Sequence, residues 1–463
     1  MVFSSVMFMY FFLPCVLLLY YVSPEKFKNL VILASGLFFY AWGEPVYVFL
    51  MLLTTFVDYM AGLFIYKYDN QPRKRTMALL SSLIINLGIL FVFKYSGFVA
   101  GIFGIDVESL PLPVGISFYT FQSISYTIDM YMRKIKVQKS FINYAAYVTL
   151  FPQIVAGPIV RYEDVQNEIN HRKINGVLIG EGVGIFIKGL VKKLFLANNI
   201  GMLWTEIKAM DYSEISVVTA WLGILAFTFQ IYYDFSGYSD MAIGLGKMLG
   251  FNFPENFRHP YISRSISEFW RRWHITLGSW FRSYVYIPLG GNRKGTAKTL
   301  RNLLVVWGLT GLWHGASWNF ILWGLYFGII IIIERLFLGK KLERVRPWVS
   351  TAYTFILVVF GWVLFDTNTL GDAVSYFGAM FGAGSGFVDS LAVYEFKNYF
   401  ILFVLCAVGS TEFLSNTLKK LHSKKNTSKL VYYATPVVQA ALLLMCTTYL
   451  VDATYNPFLY FRF

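Results

Sequence analysis

Long apolar runs separated by short charged loops recur along the sequence and constrain its fold more than any other feature. Each run is close to the roughly 20 residues that a helix needs to cross a bilayer. Candidate spans lie at about 3–22, 29–48, 49–66, 77–98, 112–132, 349–366, 398–417 and 431–451. Because only 14% of the residues are charged, against roughly 25% in a soluble domain, the sequence predicts an all-α polytopic protein embedded in a lipid bilayer.

The distribution of basic residues predicts how the two ends are oriented. The formal net charge is +14, and Lys and Arg accumulate in the cytoplasmic loops of membrane proteins. Basic clusters therefore place the loops 67–75, 133–139, 340–346 and 418–425 in the cytoplasm. The N-terminus, which has no basic region or cleavage site of a secretory signal, and the C-terminal tail are then expected outside. Because the membrane topology accounts for the excess of basic residues, we expect no nucleic-acid partner.

We expect one membrane-embedded domain over residues 1–463. It consists of N-terminal helices (1–132), a core with re-entrant segments (133–340), and C-terminal helices with an extracytoplasmic tail (341–463). No low-complexity linker divides it.

The core is irregular at two places, where polar, Gly and Pro residues interrupt apolar sequence. VTLFPQIVAGPIVR (148–161) contains two prolines, and QIYYDFSGYSDMAIGLG (230–246) contains Asp234 and Asp240. Broken backbone at membrane depth is tolerated only when buried in protein or lining a water-filled cavity. We therefore predict broken helices at both places, around an internal pocket. Gln230, Asp234 and Asp240 are predicted to line it, the alternative being that they only satisfy broken backbone.

Two histidines are the candidates for chemistry. His274 follows a capping-box spacing at Ser265 and Glu268, in a segment whose aromatic residues recur at helical spacing. Its surroundings also fit an amphipathic helix at the membrane interface. His314 lies between two tryptophans in LTGLWHGASWNFILWG (309–324), which has no charged residue.

A buried structural histidine is the alternative for each, but ionisable groups within apolar membrane segments are functional candidates by default. Imidazole is suited to taking a proton from an attacking hydroxyl at neutral pH. The sequence contains no serine-nucleophile elbow, P-loop or cluster of metal ligands, so we expect no metal.

FWRRWHITLGSWFRSYVYIPLGGNR (269–293) followed by GLWHGASWNF (311–320) resembles the membrane-bound O-acyltransferase (MBOAT) family. The likeness is closest to the branch that O-acetylates bacterial exopolysaccharides such as alginate, or peptidoglycan. It is supported by MVFSSVMFMYFFLP, LPVGISFYTFQSISYTIDMY, FPQIVAGPIVR and YYDFSGYSDMAIG. Two positions depart from the pattern: Ser283 stands where relatives often have Asp, and Ser317 where they often have Asn.

The resemblance implies a fold and a reaction. The fold would be a ring of about 11 or more transmembrane helices, with short interfacial or re-entrant helices, around a central tunnel. The reaction would take an acyl group from cytoplasmic acyl-CoA, here acetyl-CoA, to a hydroxyl outside a bacterial inner membrane. His314 corresponds to the essential histidine of the family, as general base, and His274 to its second common one.

We expect His314 where the tunnel meets an outward-facing cavity, and His274 on the donor side, orienting the thioester or the leaving thiolate. Arg282, Arg293 and Lys294 are candidates for the CoA phosphates, the alternative being ordinary cytoplasmic basic residues. Further candidates for the donor site and the cavity are Trp273, Trp313 and Asn319.

The acceptor is not readable from the residues. The family resemblance suggests an extracytoplasmic serine esterase-like (SGNH-type) acetyltransferase as partner and a cell-surface polysaccharide as final acceptor. Docking or membrane anchoring would use the tail aromatics Phe458, Tyr460, Phe461 and Phe463. Two other functions stay open: D-alanyl transfer to teichoic acid from a carrier-protein thioester, and a non-enzymatic flippase or transporter.

Overall fold

The computed structural model describes residues 1–107, 110–155, 157–423, 425–452 and 459, and the regular secondary structure among these is helical, with no β-strand. In the described part of the chain, seven helices are long and apolar enough to cross a membrane. They are Tyr47–Lys67, Pro72–Ile102, Val217–Met248, Trp318–Arg344, Pro347–Asp366, Ser390–Gly409 and Tyr432–Asp452. Shorter apolar helices such as Phe8–Val22 accompany them. The predicted all-α polytopic membrane fold is confirmed, whereas the count of eleven or more spans and the ring around a tunnel stay predictions.

The chain divides into two compact units. One comprises Met1–Lys188 and Tyr238–Glu255, and the other Gly189–Gly237 and Asn256–Phe463. The helices of the first are Phe8–Phe12, Leu13–Val22, Glu25–Phe27, Lys28–Ala41, Tyr47–Lys67, Pro72–Leu90, Phe91–Tyr95, Ser96–Ile102, Ile116–Tyr131, Phe141–Val148, Phe151–Ile154, Tyr162–Asn170 and most of Gly176–Val191. The Val217–Met248 helix contributes to both units, since the division falls after Gly237.

In the first unit, polar side chains tie three apolar helices together. Asp58, on Tyr47–Lys67, is fully buried. Its Oδ1 accepts hydrogen bonds from Ser82 Oγ at 2.5 Å and Asn86 Nδ2 at 2.8 Å, and Ser82 also contacts Thr127 Oγ1 at 3.2 Å. Hydrogen bonds between helices hold membrane bundles together where hydrophobic burial gives no preference.

The second unit contains both candidate histidines. Its remaining helices are Lys192–Asn198, Asn199–Lys208, Pro260–Ile262, Ile266–Arg272, Ile275–Phe281, Arg282–Tyr286, Thr296–His314, Trp318–Ile333, Glu334–Leu338, Gly339–Arg344, Pro347–Asp366, Leu370–Met380, Ser390–Gly409, Phe413–Ser423 and Lys425–Asp452. Aromatic rings fill its interior: the Trp270 ring lies 4.9 Å from Trp307 and 5.5 Å from Trp323, and Trp273 lies 4.9 Å from Trp362.

The prediction of broken backbone is correct at one place and wrong at the other. The chain breaks after Phe141–Val148 and forms the short helix Phe151–Ile154, and residues 155 and 157–161 are not helical. Residues 230–246, by contrast, lie within the uninterrupted Val217–Met248 helix. Its carboxylates are paired with lysines, and Gly237 admits close helix packing, because a Cβ there would lie 2.8 Å from the Gly189 carbonyl oxygen. A continuous helix therefore satisfies its own backbone and its polar residues together.

The sequence also predicts an outer loop at 367–397 between the spans 349–366 and 398–417, but the loop and the second span are wrong in their bounds. The helix runs from Ser390 to Gly409, and Leu370–Met380 forms a further helix within the expected loop. The polar residues taken for loop are N-caps: Thr369 Oγ1 accepts from the Asp372 amide at 3.0 Å, and Asp389 Oδ1 from the Ala392 amide at 2.6 Å. Such caps satisfy amides that a helix leaves unpaired at its start.

Candidate active site

His274 lies at a sharp turn between two short helices. Ser265 Oγ accepts from the Glu268 amide at 3.0 Å and begins Ile266–Arg272, as the capping spacing predicts. The helix stops at Trp273, so the single helix expected from the aromatic spacing is wrong, and a second one runs from Ile275 to Phe281. His274 takes the left-handed conformation, with φ 45° and ψ 53°. For a residue other than Gly this conformation is uncommon and clusters at functional sites.

The turn at His274 is held by a segment that precedes it in the chain. The Asn256 carbonyl oxygen accepts from the Ile275 amide at 3.0 Å, and the Arg272 carbonyl oxygen accepts from the Arg258 amide at 2.9 Å. The Asn256 side-chain oxygen lies 3.1 Å from His274 Nδ1. Since these contacts join residues 14 to 19 positions apart in sequence, helical periodicity could not predict them.

A cavity of about 620 Å³ opens beside this turn. Arg271, Ser279 and Arg282 line its exposed part, while the buried Trp273 and His274 line its interior. The remaining lining residues are mainly apolar: Ser267, Trp270, Ile275, Leu277, Gly278, Phe281, Tyr286, Leu303, Val306, Trp307 and Thr310. The cavity is within the size range of small-molecule sites. It combines two cations at its entrance with an apolar interior that contains an imidazole.

Burial sets the charge of that imidazole. His274 lies outside the seven candidate spans, and desolvation lowers its pKa to about 3. The ring is therefore neutral at physiological pH. Its Nε2 is buried and has no hydrogen-bond partner among the residues that the structure describes. A neutral ring with an open nitrogen can make a hydrogen bond to a ligand in the cavity.

His314 is the last residue of the Thr296–His314 helix and is 6% exposed. Its ring packs against Trp313 and Trp323, each at 4.9 Å, and against Phe365 at 5.3 Å. It does not line the cavity. However, the lining residues of its helix (303, 306, 307 and 310) follow one helical face, and His314 lies one turn beyond the last of them.

The Trp313 ring lies close to both histidines. Its ring centroid lies 5.9 Å from that of His274 and 4.9 Å from that of His314. The structure thus brings together three predicted site residues that are up to 40 positions apart in sequence, since 314 − 274 = 40.

Close packing of two helices fixes the position of His314. Thr296–His314 and the following Trp318–Ile333 cross at glycines: a Cβ at Gly311 would overlap the Phe320 carbonyl oxygen, and one at Gly324 would overlap the Trp307 carbonyl oxygen. Contacts of this kind need a residue without a side chain. The run GLWHG is therefore shaped by packing as well as by chemistry.

The polar candidates from the Val217–Met248 helix do not line this cavity. Lys193 Nζ lies 2.6 Å from Asp234 Oδ1, with both side chains 3% exposed, and the Leu459 amide donates to Asp234 Oδ2 at 2.9 Å. Asp240 pairs with Lys188 at 3.2 Å. Gln230 is buried, and a Cβ at Gly201 would overlap its side-chain amide.

Some of the other candidates line the cavity and some do not. Arg282 and Trp273 line the cavity, but Arg293 and Lys294 are exposed in the turn after Arg282–Tyr286 and do not. Asn319 Nδ2 donates to the Thr367 carbonyl oxygen at 2.7 Å and so secures the end of Pro347–Asp366. Phe458, Tyr460, Phe461 and Phe463 lie outside the described residues. In the described part of the chain, no three His, Cys, Asp or Glu residues are grouped to hold a metal ion.

Three residues of this site were not singled out for it by the sequence. Arg271 lies in the segment that also fits an amphipathic interfacial helix, Thr310 lies in an apolar stretch, and Asn256 lies in a loop. Of the three, only Arg271 could have been noticed in the sequence, because it is one of two adjacent arginines in FWRRWH. For the other two the information is in the packing.

Comparison with known proteins identifies the family. A sequence model described as MBOAT, membrane-bound O-acyltransferase family, matches residues 6–363, which include both histidines. The chain belongs to the membrane-bound O-acyltransferase family. The resemblance read from the motifs at 269–293 and 311–320 is confirmed, and the protein is a multi-pass membrane acyltransferase.

Individual relatives place it near the O-acetylating branch. It is 39% identical to the probable alginate O-acetylase AlgI of Pseudomonas putida, with all of both chains covered. It is 33% identical to a peptidoglycan O-acetyltransferase of Helicobacter pylori, covering 82% of this chain and 80% of that protein. A teichoic acid D-alanyltransferase of Streptococcus thermophilus is 30% identical, covering 59% and 68%. Membrane O-acetyltransfer is the activity these relatives support.

Proposed function

We propose that this acyltransferase moves an acetyl group from cytoplasmic acetyl-CoA through a bacterial inner membrane to a hydroxyl of a cell-surface polysaccharide. The observation that carries the proposal is the 620 Å³ cavity with Arg271 and Arg282 at its entrance and His274 inside. The names of the two most similar relatives above, an alginate O-acetylase and a peptidoglycan O-acetyltransferase, support the acetyl group and the type of acceptor.

The cavity suits an acyl thioester on a pantetheine arm. Guanidinium groups bind phosphate through paired N–H donors, so Arg271 and Arg282 would hold the CoA phosphates at the exposed end. The arm would then lie along the apolar wall formed by Trp270, Trp307 and neighbouring residues. This arrangement leaves the charged carrier in water and brings only the acyl end to the buried part of the protein.

In this proposal His314 is the general base. It takes the proton of the acceptor hydroxyl while that oxygen attacks the thioester carbonyl. A C–O bond forms, the C–S bond breaks, and CoA leaves as a thiolate that takes up a proton, while His314 releases the one it took from the hydroxyl. The position of His314, one turn beyond Thr310 on the cavity-lining face, supports this role. His274 lies on the donor side of Trp313 and orients the thioester arm.

The acceptor would approach from the extracytoplasmic side. We propose that an SGNH-type transferase relays the acetyl group to the polysaccharide, and that the N-terminus and C-terminal tail lie on that side, as the basic loops indicate.

The test uses the purified full-length protein in lipid nanodiscs, with radiolabelled acetyl-CoA and a soluble oligosaccharide. We expect CoA release together with transfer of the label to the oligosaccharide, both absent in His314→Ala. A parallel sample receives a D-alanyl carrier-protein thioester. Turnover of only that donor would replace the acetyl assignment, and movement of an acceptor without thioester consumption would replace the enzymatic one.

A further inference from the structure

Asn256 makes contacts that determine the orientation of its own side-chain amide. Its Oδ1 lies 3.2 Å from the Thr276 amide nitrogen, 2.9 Å from Thr276 Oγ1 and 3.1 Å from His274 Nδ1. A backbone N–H can only donate, so the Asn256 atom facing Thr276 must be the oxygen. Asn256 is 1% exposed, so its side chain is enclosed by protein.

The orientation of Asn256 in turn determines the tautomer of His274. Because Nδ1 faces an acceptor oxygen, it must carry the ring proton. A neutral imidazole has only one N–H, so Nε2 presents a bare lone pair. That nitrogen is buried without a hydrogen-bond partner in the described part of the chain, and His274 lines the cavity. The ring can thus accept a hydrogen bond from a ligand but cannot donate one.

We propose that Asn256 is a positioning residue that holds His274 in the Nδ1–H tautomer, so that Nε2 accepts a hydrogen bond from an amide N–H of the pantetheine arm of the acyl donor. This inference rests on the proposed function and specifies how His274 orients the donor in it. A ring whose Nε2 has no hydrogen cannot protonate the leaving thiolate. His274 therefore holds the donor, and the shared chemistry is a pantetheine amide, whether carried by CoA or by a carrier protein.

Asn256 also supports the local backbone, and the test must separate that role from the first. Its two oxygens accept from the Ile275 and Thr276 amides, which begin the Ile275–Phe281 helix. Asn256→Asp keeps an acceptor oxygen for every donor and adds a negative charge beside Nδ1. Thr276→Val removes one donor from Asn256 but leaves the contact with His274, and so serves as the matched control.

The first measurement needs no turnover. Solid-state ¹⁵N spectra of histidine-labelled protein in nanodiscs report which ring nitrogen is protonated, and His274→Gln identifies the signal of His274. We expect an Nδ1–H ring in the wild type and in Thr276→Val, and a mixture of tautomers in Asn256→Ala. Adding S-acetyl-pantetheine should shift the Nε2 signal of the wild type. A wild-type ring protonated on Nε2, or an Nε2 signal that does not respond, overturns the proposal even if acetyl transfer is observed.

The second measurement is the pH dependence of CoA release. The rings of Phe235, Phe257 and Trp313 surround His274, and Arg271 and Arg282 share its cavity, where no described lining residue is a carboxylate. A carboxylate at position 256 stabilises the imidazolium and raises the pKa of His274. Protonation occupies Nε2, so activity is lost as the pH falls.

The acid limb of Asn256→Asp should therefore move to higher pH by about 1–3 units, while that of Thr276→Val stays in place. An unshifted limb in Asn256→Asp would mean that Asn256 only caps a helix. Absence of CoA release from every sample, wild type included, would count against the proposed function and leave the spectra to decide the tautomer. Comparing acetyl-CoA with an acetyl carrier protein shows which source of the arm is used.

Discussion

The Val217–Met248 helix and the segment 256–314 both contain buried polar side chains in apolar surroundings, yet the protein uses them differently. In the helix, Asp234 is bound to Lys193 and to the Leu459 amide, and Asp240 to Lys188. In the segment, His274 lines a cavity, and its Nε2 has no hydrogen-bond partner among the described residues. A polar side chain in a membrane segment is therefore weak evidence for a functional site until its ion-pair and hydrogen-bond partners are known. A polar atom left open beside a cavity is stronger evidence.

The comparison predicts first that a substitution in the segment removes activity without unfolding the protein. His314→Gln should lower kcat for acetyl transfer by about 10²–10⁴-fold, the usual contribution of a general base, with an unchanged melting temperature. Steady-state CoA release and thermal unfolding of the same preparation measure the two effects. His171→Gln is the control, since His171 is exposed, and it should retain wild-type activity. Wild-type turnover by His314→Gln would remove His314 from the mechanism.

For the Val217–Met248 helix, we predict that a substitution changes the stability of the protein instead of its activity. Lys193→Met removes the cation that pairs with the buried Asp234, which should lower the free energy of unfolding by about 3–5 kcal/mol. Lys188→Met is the matched change on the second pair, where the lysine side chain is 63% exposed, and should cost at most about 1 kcal/mol. Tryptophan fluorescence during thermal unfolding in detergent distinguishes the two. Equal losses would show that burial does not separate these ion pairs.

Sequence predicted the parts of this protein that depend on local pattern. The lengths of the apolar runs predicted an all-helical membrane protein, and the motif around RWH and LWHG predicted its family. Ser265 was placed correctly as a helix start. Each of these depends on residues close together in the chain.

The errors concern contacts between distant residues. Residues 230–246 were predicted to be broken because nothing local shows that Lys193, 41 positions before Asp234 (234 − 193), neutralises it. The helix expected through His274 was interrupted by Asn256, 18 positions earlier. Arg282 and Arg293 look alike in sequence, but only the first lines the cavity. Tertiary partners decided all three cases.

A substitution where the helices Thr296–His314 and Trp318–Ile333 cross should have a smaller effect. Gly311→Ala places a methyl group against the Phe320 carbonyl oxygen, and overpacking of this kind costs about 1–3 kcal/mol of folding free energy. Gly308→Ala, on the same helix, meets nothing within 4 Å and should be neutral or stabilising by up to about 1 kcal/mol, because Ala favours helix. The sign of the change in melting temperature decides the matter. Stabilisation by Gly311→Ala would contradict the close crossing.

The smallest effect concerns the entrance of the cavity, where the contrast is between two exposed arginines of one segment. Arg282→Ala removes a cation that lines the cavity and should raise the KM for acetyl-CoA by about 2- to 5-fold, as expected for an exposed ion pair. Arg293→Ala removes the same charge from a residue that does not line it, and should leave KM unchanged. Because exposed charges are screened by salt, the difference between the variants should shrink as ionic strength rises. If both variants raise KM equally, the CoA phosphates respond to the overall positive charge of the loop and not to a site at Arg282. The difference between residues that line the cavity and residues that do not would then have no effect on binding at its entrance.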